Sequence, residues 1–294
     1  MRDTARVVAY GRRIEDGQRE DLHAVLRGLG ADVTAASSAT TPTYAVLTLD
    51  VGLAAAATAV RSGLARWTAA SGVGAALVPS PTYAPGPKLL VMDVDSTLIR
   101  QEVIELLAAH AGREAEVTAV TEAAMRGEID FTESLHHRVR ALEGLPATVI
   151  GEVVNRLRLS DGAEDLVAAY LGAGHRVGVI SGGFSQVLAP LAERLRLSFA
   201  KANDLEILDG TLTGRVAGAV VDRREKARTL RAEADRAGVR PEAVIAVGDG
   251  ANDLDMLGAA GLGVAFNAKP AVRAAADVAL DLPDLDVIRH FAGL

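Results

Sequence analysis

The 294 residues carry a net charge of −7, with 49% hydrophobic content, only 3% aromatic content and no cysteine. This balance argues against a nucleic-acid binder, which would show a basic patch with interleaved aromatics; the absence of cysteine removes disulfides, thiolate catalysis and Cys-based metal sites. The opening MRDTARVVAYGRR lacks an apolar core of signal-peptide length and no apolar run is long enough to span a membrane, so the expectation is a cytoplasmic protein with room for about two domains.

Residues 1–79 alternate clearly. Strands are expected over Ala5–Tyr10, Ala31–Ala36, Tyr44–Val51 and Val73–Pro79. A helix is expected over Asp16–Gly30, where Leu22, Val25, Leu26 and Leu29 recur at helical spacing. A second is expected over Leu53–Ala70, with Trp67 on its apolar stripe. The order β-α-β-β-α-β is that of the ferredoxin-like split unit. ACT-type modules, which bind amino acids, share it at fold level. No ligand motif is visible here, and packing or homodimer formation explains the segment without one. Ser80–Pro87, SPTYAPGP, reads as a linker. The division expected is 1–86 and 87–294.

The second part opens on KLLVMDVDSTLIR, Lys88–Arg100. Leu89–Met92 is an apolar run of strand length. Asp93 and Asp95 follow, two apart and so on one face of an extended chain. Two acids crowded at a strand end point to split acid/base roles or to a cation. A plain strand–loop junction, with Ser96 or Thr97 capping a following helix, would leave the same trace. Helices are then expected at about Arg100–Ala111, Arg113–Arg126, Phe131–Glu143 and Pro146–Leu157. Such an insertion after a first strand forms a separate lobe, about 101–160, able to lie over the strand ends.

Alternation then resumes. Arg176–Ile180 is a strand followed by Ser181-Gly182-Gly183. Phe199–Ile207 and Thr211–Val216 form a hairpin around Asp209-Gly210. Arg223–Ala237 is a helix, Ala243–Val247 a strand leading into Gly248–Asp253, and Leu262–Phe266 another strand. The pattern calls for an α/β, doubly wound parallel sheet with ligands outside the carboxyl ends of the strands. Three loops would then meet at one edge. One brings the Asp93/Asp95 pair and one a hydroxyl with two glycines, whose bare backbone admits an anion. The third brings Asp249, Asn252 and Asp253. A Cys-free, all-oxygen acid site suits Mg²⁺, and the donors beside it suit a phosphoryl group. Lys226 is the candidate fixed cation, although a solvated helix lysine would look the same.

DVDST, SGG, the Lys in VVDRREKARTL, and GDGANDLDM, in this order, resemble the four motifs of the haloacid-dehalogenase-like (HAD) phosphohydrolases. The resemblance extends to the phosphoserine phosphatase branch through EAAMRGEIDFTESLHHRV and AGLGVAFNAKP, and covers about residues 88–280. It implies Asp93 as a nucleophile that forms an aspartyl-phosphate and Asp95 as acid and then base. It implies Asp93, Asp249 and the Asp95 backbone carbonyl on Mg²⁺, with Asp253 ordering the metal's waters. Ser181, Gly182 and Lys226 would hold the phosphate, and Asn252 would touch the substrate. Substrate choice would fall to the lobe: Glu102 for the ammonium of O-phosphoserine, Arg138 for its carboxylate, Met125 and Phe131 for shielding from water. An exposed first-turn Glu102 and a surface Arg138 are the plain alternatives. His136 and His137 read as surface and His110 as helix packing. Asp255 and Ser160-Asp161-Gly162 depart from the family pattern away from this chemistry.

Overall fold

The computed structural model describes residues 3–54, 56–126 and 128–294, without the side chains of Asp3 and Met125. The first unit comprises β1 (Asp3–Gly11), α1 (Asp16–Gly28), β2 (Ala31–Thr40), β3 (Ala45–Leu53), α2 (Ala57–Ser71) and β4 (Gly74–Pro79). Its sheet is antiparallel in the order β2-β3-β1-β4, the ferredoxin-like arrangement. Alternate residues of β1 and β3 explain how it is covered. Val7, Ala9, Leu47, Leu49 and Val51 pack with Leu22, Leu26, Val60, Leu64 and Trp67 of the two helices. Val8, Tyr10 and Val46 face the other way and join the core of the rest of the chain.

The Pro-rich segment is not a free linker. It opens with a short helix, α3 (Ser80–Tyr83), with proline in the first turn, where its missing N–H costs nothing. Thr82 is buried and donates to the Glu242 carbonyl at 3.4 Å.

The second unit begins with β5 (Leu89–Met92). Helices α4 (Val103–His110), α5 (Glu114–Met125), α6 (Phe131–Arg140) and α7 (Val149–Arg156) form the lobe. Then come α8 (Ala163–Gly172), β6 (Arg176–Phe184), α9 (Ser185–Arg194), β7 (Phe199–Leu208), β8 (Thr211–Ala217), α10 (Arg223–Ala237) and β9 (Val244–Gly248). The chain finishes with α11 (Leu254–Leu257), β10 (Leu262–Phe266), α12 (Pro270–Ala275), β11 (Val278–Leu280) and α13 (Ile288–Phe291). The sheet order is β11-β10-β9-β5-β6-β7-β8. Every pairing is parallel except β7 with the edge strand β8, the expected hairpin.

All four residues of β5 are fully buried, as a strand covered by helices on both faces requires. Met92 is in register with Val247 of β9 on one side and Val179 of β6 on the other. The residues just beyond these strands therefore leave the sheet side by side. The lobe is joined by a two-stranded stem. Ile99 bridges Leu159, Arg100 N–H donates to the Arg158 carbonyl at 2.9 Å, and Ser160 N–H donates to the Leu98 carbonyl at 2.9 Å. The four-stranded sheet docks through Thr43 and Tyr44, whose hydroxyls donate to Asp284 at 2.6 Å and Asp286 at 2.7 Å. Among the described residues no helix is long and apolar enough to cross a membrane.

Candidate active site

Beyond β5 the chain turns sharply. Ser96 takes a left-handed backbone, φ 55°, which is unusual outside glycine, asparagine and aspartate. Ser96 and Thr97 do not cap α4, which removes the plain strand–loop alternative. The cap-like contact comes from Asp95, whose Oδ1 accepts from Val103 N–H at 2.9 Å, and α4 starts three residues later than expected. The left-handed turn aims the two hydroxyls elsewhere. Ser96 Oγ donates to Glu102 Oε1 at 2.6 Å, and Thr97 Oγ1 donates to Asp249 Oδ1 at 2.9 Å.

Asp93, Asp249 and Asp253 form a buried cluster with one oxygen of each within 4.8 Å of the others. The carboxylate of Asp95 is not in it. Its Oδ2 accepts instead from the Ser181 hydroxyl at 3.3 Å. Asp253 also differs from a simple ligand: its Oδ2 accepts from Asp249 and Gly250 N–H groups at 3.2 and 3.0 Å, and its Oδ1 accepts from Lys226 at 2.7 Å. Gly248 makes this possible, since a Cβ there would lie 2.5 Å from Asp253 Cγ.

Lys226 is fully buried and bridges Asp93 and Asp253, both at 2.7 Å. It is no solvated helix lysine. Burial opposes its charge, yet Asp253 and Asp93 hold its pKa above the ordinary lysine value. Burial raises the Asp93 carboxyl well above its usual range, reinforced by Asp253 and opposed by Lys226. Burial likewise raises Asp95, against the Val103 N–H bond. Asp249 is pushed up to about 7, first by burial and then by Asp253. Carboxyls outnumber the cations Lys226, Arg138 and Lys269 here. Buried hard oxygen donors with an excess of negative charge are the donor set of a divalent cation such as Mg²⁺.

Ser181-Gly182-Gly183, expected as a loop, instead forms the irregular end of β6 and lies against Asp95. Ser181 Oγ accepts from Gly183 N–H at 2.7 Å, so its own proton points to Asp95. Glycine is required by close approach. A Cβ on Gly183 would meet Asp95 Oδ2 at 2.7 Å, and one on Gly182 would meet the Phe131 ring at 2.6 Å. Asn203, a buried polar residue in β7 that sequence reasoning did not single out, ties this segment to the approach to α10. Its amide donates to the Gly182 carbonyl at 2.8 Å and accepts from Val221 N–H at 2.7 Å.

A cavity between the lobe and the strand ends has a lining that includes Asp93, Asp95, Glu102, Phe131, Arg138 and Asn252. Burial raises the Glu102 pKa well above the usual range, with Asp95 adding to it and Ser96 opposing. Arg138 is 5% exposed, which rules out an ordinary surface arginine. Its Nε donates to the Ser134 carbonyl at 3.3 Å and its Nη1 to Thr121 Oγ1 at 3.2 Å. The guanidinium carbon sits 5.9 Å from the Phe131 ring centre. Met125 ends α5, and its side chain lies outside the described residues. His136 and His137 are exposed; His110 is half-buried, 3.9 Å from Glu152.

Comparison with known proteins identifies the family. The model of the haloacid dehalogenase-like hydrolases matches residues 90–258. A phosphoserine phosphatase of Streptomyces coelicolor is 56% identical over 235 residues, 80% of this chain but 57% of that protein, so the chain spans little more than half of that relative's length. A solved phosphoserine phosphatase described as a phospho-aspartyl intermediate analogue superposes with a TM-score of 0.68 at 39% identity, over 70% of this chain and 99% of its own. The unliganded structure of a probable phosphoserine phosphatase from Vibrio cholerae covers 98% of this chain and 86% of its own, with a TM-score of 0.78 at 33% identity. With the family model spanning β5 to α11, and so the strand ends that carry the acids and the helix that carries Lys226, the chain belongs to the haloacid dehalogenase-like hydrolase family.

Proposed function

We propose that the protein is a Mg²⁺-dependent phosphatase that hydrolyses O-phospho-L-serine to L-serine and phosphate, a reaction of L-serine biosynthesis. The observation that carries this reading is one cavity shared by the Lys226-held Asp93, the half-buried Asp95 carboxyl, and a carboxylate and guanidinium from the lobe, Glu102 and Arg138. Serine's ammonium and carboxylate match that pair of charges.

In this mechanism an Asp93 oxygen attacks phosphorus and the ester P–O bond breaks, leaving an aspartyl-phosphate. Asp95 is the general acid. Its raised pKa keeps a proton available, and that proton goes to the departing serine oxygen. Asp95 then accepts a proton from water, whose oxygen attacks phosphorus, releases phosphate and restores Asp93. Lys226 holds Asp93 in place and offsets phosphate charge. The Ser181 hydroxyl and Gly182 N–H bind phosphoryl oxygens. Asp93, Asp249 and the Asp95 backbone carbonyl would hold Mg²⁺, with Asp253 ordering its waters; the ion supplies positive charge against the phosphate. Glu102 and Arg138 orient serine, Phe131 and Met125 exclude water, and Asn252 contacts the substrate.

In the same reading residues 1–86 are an accessory module and 87–294 the catalytic unit, with its lobe at about 101–160. The protein would work in the cytoplasm on a small molecule, not on nucleic acid or membrane, and would be tested for homodimer formation by light scattering. The deciding experiment measures phosphate release from phosphoserine, phosphohomoserine, sugar phosphates and phenyl phosphate, with Mg²⁺ and with EDTA. Phosphoserine should be turned over fastest and only with the cation. Equal rates across the panel would sink the substrate assignment, and full activity in EDTA would sink the cation.

A further inference from the structure

Arg138 is the most buried arginine of the site, and its guanidinium edge is only partly used by the protein. Exposed arginines such as Arg113, Arg126 and Arg223 pair with carboxylates. Among the described residues no carboxylate forms an ion pair with Arg138. Its protein partners are two neutral oxygens, the Ser134 carbonyl and the Thr121 hydroxyl. Ser134 lies on the same helix and would be there for any residue at position 138. Thr121 comes from the neighbouring helix α5, is 2% exposed, and lines the cavity itself.

The hydroxyl of Thr121 has a fixed polarity. Its proton is committed to the Val117 carbonyl at 2.9 Å, one helical turn back. Its lone pairs therefore face outward, toward Nη1 of Arg138. A buried guanidinium has few ways to be satisfied, and an acceptor of fixed direction selects one rotamer. The neutral partner also leaves the guanidinium free of a direct ion pair, which a carboxylate in the same place would not.

We propose that Thr121 is a specificity-determining positioning residue: it aims the guanidinium of Arg138, which makes no direct ion pair, into the cavity, where it binds the carboxylate of an amino-acid phosphate ester. This deepens, and rests on, the reading of the site as a phosphoserine phosphatase. Thr121 touches no reacting atom, so its loss should act through substrate binding and only on substrates that carry a carboxylate.

The test compares kcat and KM on phosphoserine and on phenyl phosphate for wild type, Thr121→Val, Thr121→Ala and Thr121→Ser. The ratio of kcat/KM for the two substrates is read within one preparation, so a partly unfolded variant does not distort it. Valine keeps the volume of threonine and loses the hydroxyl. It should lower the ratio roughly tenfold, the scale of a hydrogen bond to a charged group, through KM for phosphoserine. Alanine should do the same and serine should restore the ratio. A preference unchanged in Thr121→Val, or lost equally on both substrates, overturns the inference and leaves the phosphoserine reading intact. Absence of any phosphoserine preference in wild type overturns both.

Discussion

Lys226 and Asp253 form an ion pair at 2.7 Å in which neither side chain reaches solvent. The same ammonium holds Asp93. Removing one member of a buried pair leaves uncompensated charge and costs about 3–5 kcal/mol. Lys226→Met should therefore lower the urea midpoint strongly at pH 8. The loss should shrink at pH 5, where the stranded Asp93 carboxyl, already raised by burial, takes up a proton. Equal destabilisation at both pH values would contradict the charge balance described.

Asp93→Asn should abolish turnover while the fold persists, because the amide keeps the shape and loses the nucleophile. Asp95→Asn should lower kcat by about a hundred- to ten-thousand-fold. Burst measurements separate the two: Asp95→Asn can still accumulate a phosphorylated protein from an ester with a good leaving group, and Asp93→Asn cannot. Label on Asp93→Asn would refute the assignment.

The pH dependence of stability follows from Asp249. Its carboxyl titrates at about 7 in the folded chain against an ordinary 3.8. Between these values the folded state binds more protons than the unfolded state, so this group's contribution is fully present below about 4 and is lost as pH rises to about 7. In EDTA, melting should show that decline, on the order of a few kcal/mol, relative to Asp249→Asn. Millimolar Mg²⁺ should remove it, since a bound cation favours the ionised form. A wild-type profile parallel to that of Asp249→Asn would be the adverse result.

Gly182→Ala tests how the lobe meets the glycine-rich end of β6, where phosphate binding is proposed. The new Cβ would lie 2.6 Å from the end of the Phe131 ring, so the ring or the lobe has to shift. KM for phosphoserine should rise several-fold, with a stability loss of about 1–3 kcal/mol at most. Phe131→Leu in the same chain should recover part of the KM.

Much of this site was legible before any coordinates. Asp93 and Asp249 each follow a short, wholly apolar run, and acids at such places have few structural excuses. The shared sheet edge followed from strand and helix alternation. Lys226 was legible only with the other motifs, because its local sequence, RREKAR, reads as a solvated helix. The partners of Ser96 and Thr97 were not legible. They depend on a left-handed turn at Ser96 that nothing in DVDST signals, so helix capping stood as an open alternative. Thr121 and Asn203 are single polar residues in regular elements, and only tertiary packing brings them to Arg138 and to Gly182. The Pro-rich segment misled for the opposite reason: its composition marks a linker, while the buried Thr82 contact orders it.

The four-stranded sheet has a second apolar face, and that face joins the larger core through Val8, Tyr10 and Val46. The chain can thus be divided along its length at residue 86 without its interior being divided there. Its unfolding should be one cooperative transition, with both units losing structure at the same temperature. An excised 87–294 fragment should carry an exposed greasy patch, bind a dye such as ANS, and melt well below the whole chain.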